Sequence, residues 1–501
     1  MITVKQTLGT LALLGLLTGC GEKWLDVSPN DSVTEENFYQ TETDAIQATN
    51  AVYSELGKAG QYNYALWGIG DIMADNSVTG GGGGGDGIEF QQLDNFNIPA
   101  TNPVINRLWG GCYVGIGRAN VVIQRVPGIA NMSDALRRRC IAEAKFLRAK
   151  YYFDLVRAYG EVPLITVPPT SLDQVNIPRS PVDRVYDQIV QDLTEASTGN
   201  DLPNSYAGAD LGRATKLAAM GLLAKVQLTR GNRSEAARVA NETITAARAA
   251  GKDLWADYAD NFKVANENGK ESLFEVQYVS GLNQWTQDGL GFSGNEFFGP
   301  RGQGLTPQGG YGFNIPEAEF VNGYETGDLR RDVTIWKPGD AYPAGSTSPS
   351  QPASLPGSPN GYGLKKWFVG KTNTNIWDSP LNIPVLRLAD VYLILAEADG
   401  PTARGLEAIN RVRRRAFGLP LDQPSTRDLT ASTPNFTDAV IRERRYELAF
   451  ENDRWFDLKR TGKLLTLPAL QAKGVKPFNI VLPIPQSERD ANPNLTQNPG
   501  Y

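Results

Sequence analysis

Apolar positions in the first half of the chain recur every three to four residues. Ala45, Ala48, Val52 and Leu56 share one side of a helix predicted over Thr41–Leu56. Ile105, Leu108, Cys112, Ile116, Ala119, Val122 and Val126 form a longer stripe. Leu136, Cys140, Ala144, Leu147, Tyr151, Leu155 and Ala158 form another. Each stripe is one-sided, so each predicts a helix that buries a single face. Pro163, Pro168 and Pro169 break the pattern, and Pro181 opens a further helix at its first turn, where a missing N–H costs least. Arg213–Arg230 and Ser234–Ala250 predict a helix pair around Gly231-Asn232. Leu217, Leu223, Ala224 and Leu228 then face Ala236, Ala240, Ile244 and Ala247. Leu388–Ala398 and Arg404–Ala416 predict a second pair. Alanine-rich pairs with a tight turn pack closely, as tetratricopeptide hairpins do, but the spacing here follows no fixed period. The fold class expected is mainly α: a superhelical scaffold of degenerate tetratricopeptide-type helix pairs with a large irregular, loop-rich insertion.

The pattern lapses twice. Gly57–Thr101 is irregular and holds Trp67, Asp71, Asp75, Asn76 and the run Gly80–Gly85. Those glycines lack the GxxxxGK[ST] pattern of a phosphate loop and read as a flexible surface loop. Residues 271–383 are rich in Gly, Pro, Ser, Asn and aromatics, with a short strand predicted at Ser272–Val279. Trp285, Trp336, Trp367 and Trp377 all lie in this stretch. A loop region carried on a helical scaffold is where binding usually resides. The division expected is a leader at 1–19, a tether at 20–40, a helical scaffold at 41–270, a binding insertion at 271–383 and a helical C-terminal part at 384–501.

The head of the chain has its own pattern. Leu8–Leu17 is an apolar run behind a single positive side chain, Lys5, and it ends in Leu17-Thr18-Gly19-Cys20. That is the layout of a secretory signal peptide, too short to span a bilayer. Small residues before a cysteine match the lipoprotein box, so Cys20 is the expected lipid attachment site and the membrane contact is through that lipid.

Composition narrows the chemistry. The 501 residues carry a formal net charge of −6, which argues against a nucleic-acid partner. Arg137–Arg139 and Arg413–Arg415 look basic but read as solvated helix faces. There is no histidine, which removes Ser-His-Asp and Cys-His catalysis and HExxH zinc sites together. Cys112 and Cys140 are the remaining thiols. Their positions on two successive helices put them out of register, so they are expected to be unbridged. No cofactor and no metal is implied.

Glu443, Glu447 and Glu451 are spaced at four and line one helix side. Paired carboxylates run glycoside hydrolysis, which leaves a glycosidase as the alternative reading. Alternation with Arg442, Arg444 and Arg445 instead favours salt-bridged support. Arg454–Arg460 reads as a packing knot, with Trp455 buried and Arg454 and Asp457 hydrogen-bonded to nearby backbone. The loop aromatics are the candidates for a ligand. A flat indole stacks on the apolar face of a sugar while amides and carboxylates take its hydroxyls. Trp67 with Asp75 and Asn76, and Trp285, Trp336 and Trp377 with their polar neighbours, are the candidate contacts.

These residues carry a resemblance. Ile441-Arg442-Glu443-Arg444-Arg445-Tyr446-Glu447-Leu448-Ala449-Phe450-Glu451, Arg454-Trp455-Phe456-Asp457-Leu458-Lys459-Arg460 and the ending Leu482-Pro483-Ile484-Pro485 with Asn498-Pro499-Gly500-Tyr501 resemble the SusD/RagB group of outer-membrane nutrient-binding lipoproteins. Leu388–Ala398, Ala408–Arg413 and Trp24-Leu25-Asp26 add to it. The resemblance implies a non-enzymatic protein on the outer leaflet, acting as the lid of a TonB-dependent, SusC-like transporter. Its ligand would be an oligosaccharide or other small nutrient, with peptides taken by some members.

Overall fold

The computed structural model describes residues 38–281, 286, 288–371 and 377–501. Cys20, Trp24 and Trp285 lie outside them. The longer helices are α1 (Glu42–Ser54), α2 (Pro103–Arg125), α3 (Asp134–Tyr159), α4 (Val182–Ser197), α5 (Lys216–Thr229), α6 (Arg233–Ala249), α7 (Leu388–Asp399), α8 (Ala403–Ala416) and α9 (Phe436–Glu447). The protein is mainly helical, as the periodicity predicts. Thr41 caps α1 through a capping box. Its hydroxyl accepts from the Asp44 N–H, and the Asp44 carboxylate accepts from the Thr41 N–H at 2.8 Å. Asn102 caps α2 ahead of Pro103, and Pro181 stands at the N-cap of α4.

Packing follows chain order. Helix α1 lies on α2 and α3, α3 on α4, α4 on α5 and α5 on α6. Helix α6 then packs on α7, which carries α8 and α9, although residues 250–387 lie between α6 and α7 in sequence. The helical layer is therefore continuous, and the intervening stretch is looped out of it. Strands β2 (Ser272–Val276) and β6 (Ile383–Arg387) pair antiparallel across the neck of that loop, with Ser272 opposite Arg387 and Val276 opposite Ile383. Two smaller antiparallel pairs lie further along: β1 (Ser77–Gly80) with β3 (Phe313–Pro316), and β4 (Ile335–Trp336) with β5 (Gly363–Leu364).

The irregular stretch 57–101 differs from its expectation. Residues 61–77 are all buried and include a helical turn at Ala65–Trp67, a π-turn at Gly68–Ile72 and the first residue of β1. Its hydrophobic residues face protein on every side, so no single period marks them. Gly70 sits where a Cβ would lie 2.1 Å from the Asn452 carbonyl oxygen, a contact between distant parts of the chain that a larger residue blocks.

Arg413–Arg415 also differ. They are buried, not solvated. Arg415 reaches Glu447 at 2.6 Å and Glu271 at 2.9 Å, Arg413 reaches Glu443 at 2.7 Å, and Arg414 reaches Asp428 at 2.6 Å. Arg138 is exposed, by contrast. Both remaining cysteines are buried and unbridged, and burial pushes both thiols up from their ordinary range.

Candidate functional site

The loop that leaves β1 and the one that leads into β3 form one knitted surface. Gly81 N donates to Gly312 O at 2.6 Å, and Gly312 N to Gly299 O at 2.9 Å. Glu296 sits under the turn that follows. It is fully buried and accepts from the backbone N–H groups of Gly310 and Gln308. Burial still raises its carboxyl above the ordinary range. Arg301 spans from Asp86 in the glycine loop, at 2.9 Å, to the Tyr311 carbonyl, at 2.9 Å. Thr347 N donates to Gln303 O, which ties in the next loop, and Asn295 holds both Gly370 O and Val369 N. These hydrogen bonds satisfy the backbone groups of the loops and cross-link one loop to the next.

Aromatic rings stack in layers beneath this surface. Trp67 packs on Phe90 with ring centroids 4.2 Å apart and on Phe297 at 5.7 Å. Phe297 in turn carries Tyr311 at 5.5 Å and Trp377 at 5.6 Å. Tyr311 and Trp377 are half-buried and form the outer layer. The same arrangement repeats around Trp336, which is buried under half-buried Tyr342 at 5.3 Å and Phe368 at 5.5 Å. The ammonium of Lys365 lies 4.7 Å from the Trp336 ring centre.

This geometry corrects several sequence-level candidates. Trp67 is 2 % and Trp336 4 % exposed, so neither presents a face to a ligand; both are floors for other rings. Asp75 and Asn76 are buried as well. Asp75 accepts from Arg454 at 2.7 and 2.9 Å, and Asn76 accepts from Arg445 Nε at 2.7 Å. Their polarity serves to join the N-terminal segment to the C-terminal one. Trp377 remains at the surface layer, and Trp285 lies outside the described residues. Tyr311, Phe368, Tyr342 and Arg301 escaped the sequence reading. The one available signal was a tyrosine set among glycines, Gly309-Gly310-Tyr311-Gly312.

The glutamate row is not open either. Glu447 is fully buried and meets Arg415, Arg387 and Arg330 at 2.6, 2.8 and 3.2 Å. Glu443 meets Arg330 and Arg413, and Glu451 meets Arg387 and Lys366. The partners come from other elements, not from the neighbouring Arg442, Arg444 and Arg445. Three arginines hold the Glu447 carboxyl well below the carboxylate range, the opposite of what a general acid needs. In the Arg454–Arg460 helix Trp455 is fully buried, as expected. Arg454 and Asp457 pair with side chains rather than backbone: Arg454 with Asp75, and Asp457 with Arg444 and Arg460.

A concavity of about 280 Å³ opens between the C-terminal end of α1, the segment Ala209–Arg213, the edge of β2 and Gly289-Leu290.

Comparison with known proteins matches residues 270–501 to the profile described as the SusD family, and residues 23–228 to the one described as starch-binding associating with outer membrane. A SusD-like protein of Bacteroides ovatus is 30 % identical, over 91 % of this chain and 82 % of that protein. Among solved structures, a laminarin-binding SusD-like protein superposes with a TM-score of 0.78 at 32 % identity, covering 92 % of this chain and all of that one. Surface glycan-binding protein A from Bacteroides fluxus superposes with a TM-score of 0.78 at 26 % identity, over 92 % of this chain.

Proposed function

The chain belongs to the SusD family, and from that premise we propose that it is a glycan-binding protein of the outer-membrane surface, with the loop-rich face as its binding platform. The carrying observation is the pair Tyr311 and Trp377, two half-buried rings braced from below by Phe297 and Trp67. Such rings take the C–H face of a sugar, and the neighbouring Arg301 and Gln303 offer donors to its hydroxyls. Bracing lowers the entropy lost when the rings are fixed by a ligand. The laminarin-binding and glycan-binding relatives support an oligosaccharide over a peptide. The buried, arginine-paired glutamates speak against hydrolysis by the Glu443–Glu451 row.

The rest of the reading concerns assembly. Cys20 carries the lipid that holds the body at the membrane, and a TonB-dependent, SusC-like barrel receives the bound glycan beneath it. Affinity measured calorimetrically on the purified chain tests the binding platform. Trp377→Ala and Tyr311→Ala are expected to lower glycan affinity at least tenfold with an unchanged melting temperature. Retention of wild-type affinity in both would place the site elsewhere.

A further inference from the structure

The concavity beside α1 has walls of a mixed kind. Tyr53, Phe274 and Tyr278 contribute three aromatic rings, with Tyr53 and Phe274 centred 6.2 Å apart. Asn50, Ser54 and Gln277 contribute amide and hydroxyl groups. Leu211, 50 % exposed, stands at the mouth.

The walls are built rigidly. The Tyr53 hydroxyl donates to Glu143 at 2.9 Å and accepts from Ala214 N at 2.9 Å, which fixes the ring. The Gln277 amide is held by Asn268 and Asn382 at 2.8–3.0 Å. Gly212 crosses directly over it, at φ +92°, where an added Cβ would meet the Gln277 side chain at 2.5 Å. The charged side chains of the lining are already occupied. Arg213 donates to Asp210, Glu143 and Asn50. Glu275 accepts from Asn268 N and from Asn382. Arg213 is neutralised by Glu143 and Asp210, so an anionic ligand has no free cation to meet, whereas an uncharged ring lays its apolar face on the aromatic wall with Asn50 and Ser54 at its edge.

The geometry points to a second carbohydrate subsite here, taking one or two uncharged sugar rings, separate from the Tyr311–Trp377 platform. The volume, near 280 Å³, suits a short unit rather than a long chain. Its wall residues Gly289 and Leu290 directly precede the segment that leads through Phe292 to Phe297, so the two sites share one loop. The inference rests on the reading of the chain as a glycan binder.

Calorimetric titration of the detergent-solubilised full chain with laminaritriose, cellotriose and maltotriose tests it. Gly57 has an ordinary backbone conformation, and its added Cβ would touch Tyr278 at 3.5 Å and Val276 at 3.8 Å, both walls of the cleft. Gly57→Trp and Gly57→Phe therefore each fill the concavity from its wall. The wild type is expected to bind two equivalents of at least one trisaccharide. Each of these variants is expected to bind one, and Trp377→Ala to bind the other one. Two equivalents retained in both cleft variants overturn the second subsite. A single equivalent, lost in Trp377→Ala alone, also overturns it and leaves the platform standing. A single equivalent lost only in the cleft variants overturns the platform and leaves the cleft as the main site. Absence of binding to all three sugars overturns the glycan reading on which both rest.

Discussion

At the scale of single residues, buried charges are paired across distant segments of the chain. Asp75 shows the energetics. Its carboxyl is buried, yet Arg454 and Arg445 hold it at about 2. A depressed folded-state pKa contributes stability that is complete above the unfolded value near 4 and is lost as pH falls toward the folded one. The shift corresponds to about 2–3 kcal/mol. Urea unfolding across pH 5 to about pH 2 should therefore show a steeper loss in the wild type than in Asp75→Asn, which starts from lower stability at neutral pH. Equal slopes would mean that the pair contributes nothing. Trp455 is the apolar counterpart. It is fully buried in the C-terminal signature, and Trp455→Ala should cost about 3–5 kcal/mol, read as a fall in denaturation midpoint. A variant with wild-type stability and impaired glycan binding would reverse that assignment.

At the scale of elements, the helices were legible and their contacts were not. The stripes in α1, α2 and α3 place these helices within a few residues, because an amphipathic helix writes its period into its own sequence. Which residue meets which across an interface has no such local record. Gly115 in α2 is the clearest instance. An alanine there would gain about 1 kcal/mol of helix propensity. Its Cβ, however, would lie 2.3 Å from the ring of Tyr151 in α3, whose hydroxyl is bound to the Val52 carbonyl at 2.7 Å. Overpacking on a pinned ring costs more, so Gly115→Ala should lose on the order of 1–2 kcal/mol net. Gly117, two positions on, has nothing within 4 Å of its Cβ, and Gly117→Ala should be neutral or gain up to about 1 kcal/mol. Thermal melts of the two variants separate packing from propensity.

At the scale of the whole molecule, continuity from α6 to α7 makes one helical body that carries the loop-rich face as an outgrowth closed at its neck by β2 and β6. Among the described residues no helix is long and apolar enough to cross a membrane. The proposed lipid at Cys20 and the proposed partner barrel are tested separately. Cys20→Ala should release the protein from the membrane fraction and leave its glycan affinity in solution unchanged. The lipidated form, extracted in mild detergent, should co-purify with an outer-membrane barrel. If the native protein migrates alone under those conditions, the lid arrangement loses its support.

The amino-acid sequence by itself determined the helical class, the positions of most of the long helices though not of α9, the family signature at the C-terminus and the burial of Trp455. All of these rest on local periodicity or on contiguous motifs. Only the tertiary structure decided that Trp67 and Trp336 lie beneath Tyr311, Trp377, Tyr342 and Phe368 rather than among them, and that Arg413–Arg415 are buried. It also decided that Asp75 answers Arg454, across most of the chain. The physical reason is the same throughout. A tryptophan in glycine-rich surroundings, or an arginine on a helix, has the same local pattern whether it faces water or another segment. Burial is settled by what the rest of the chain brings against it.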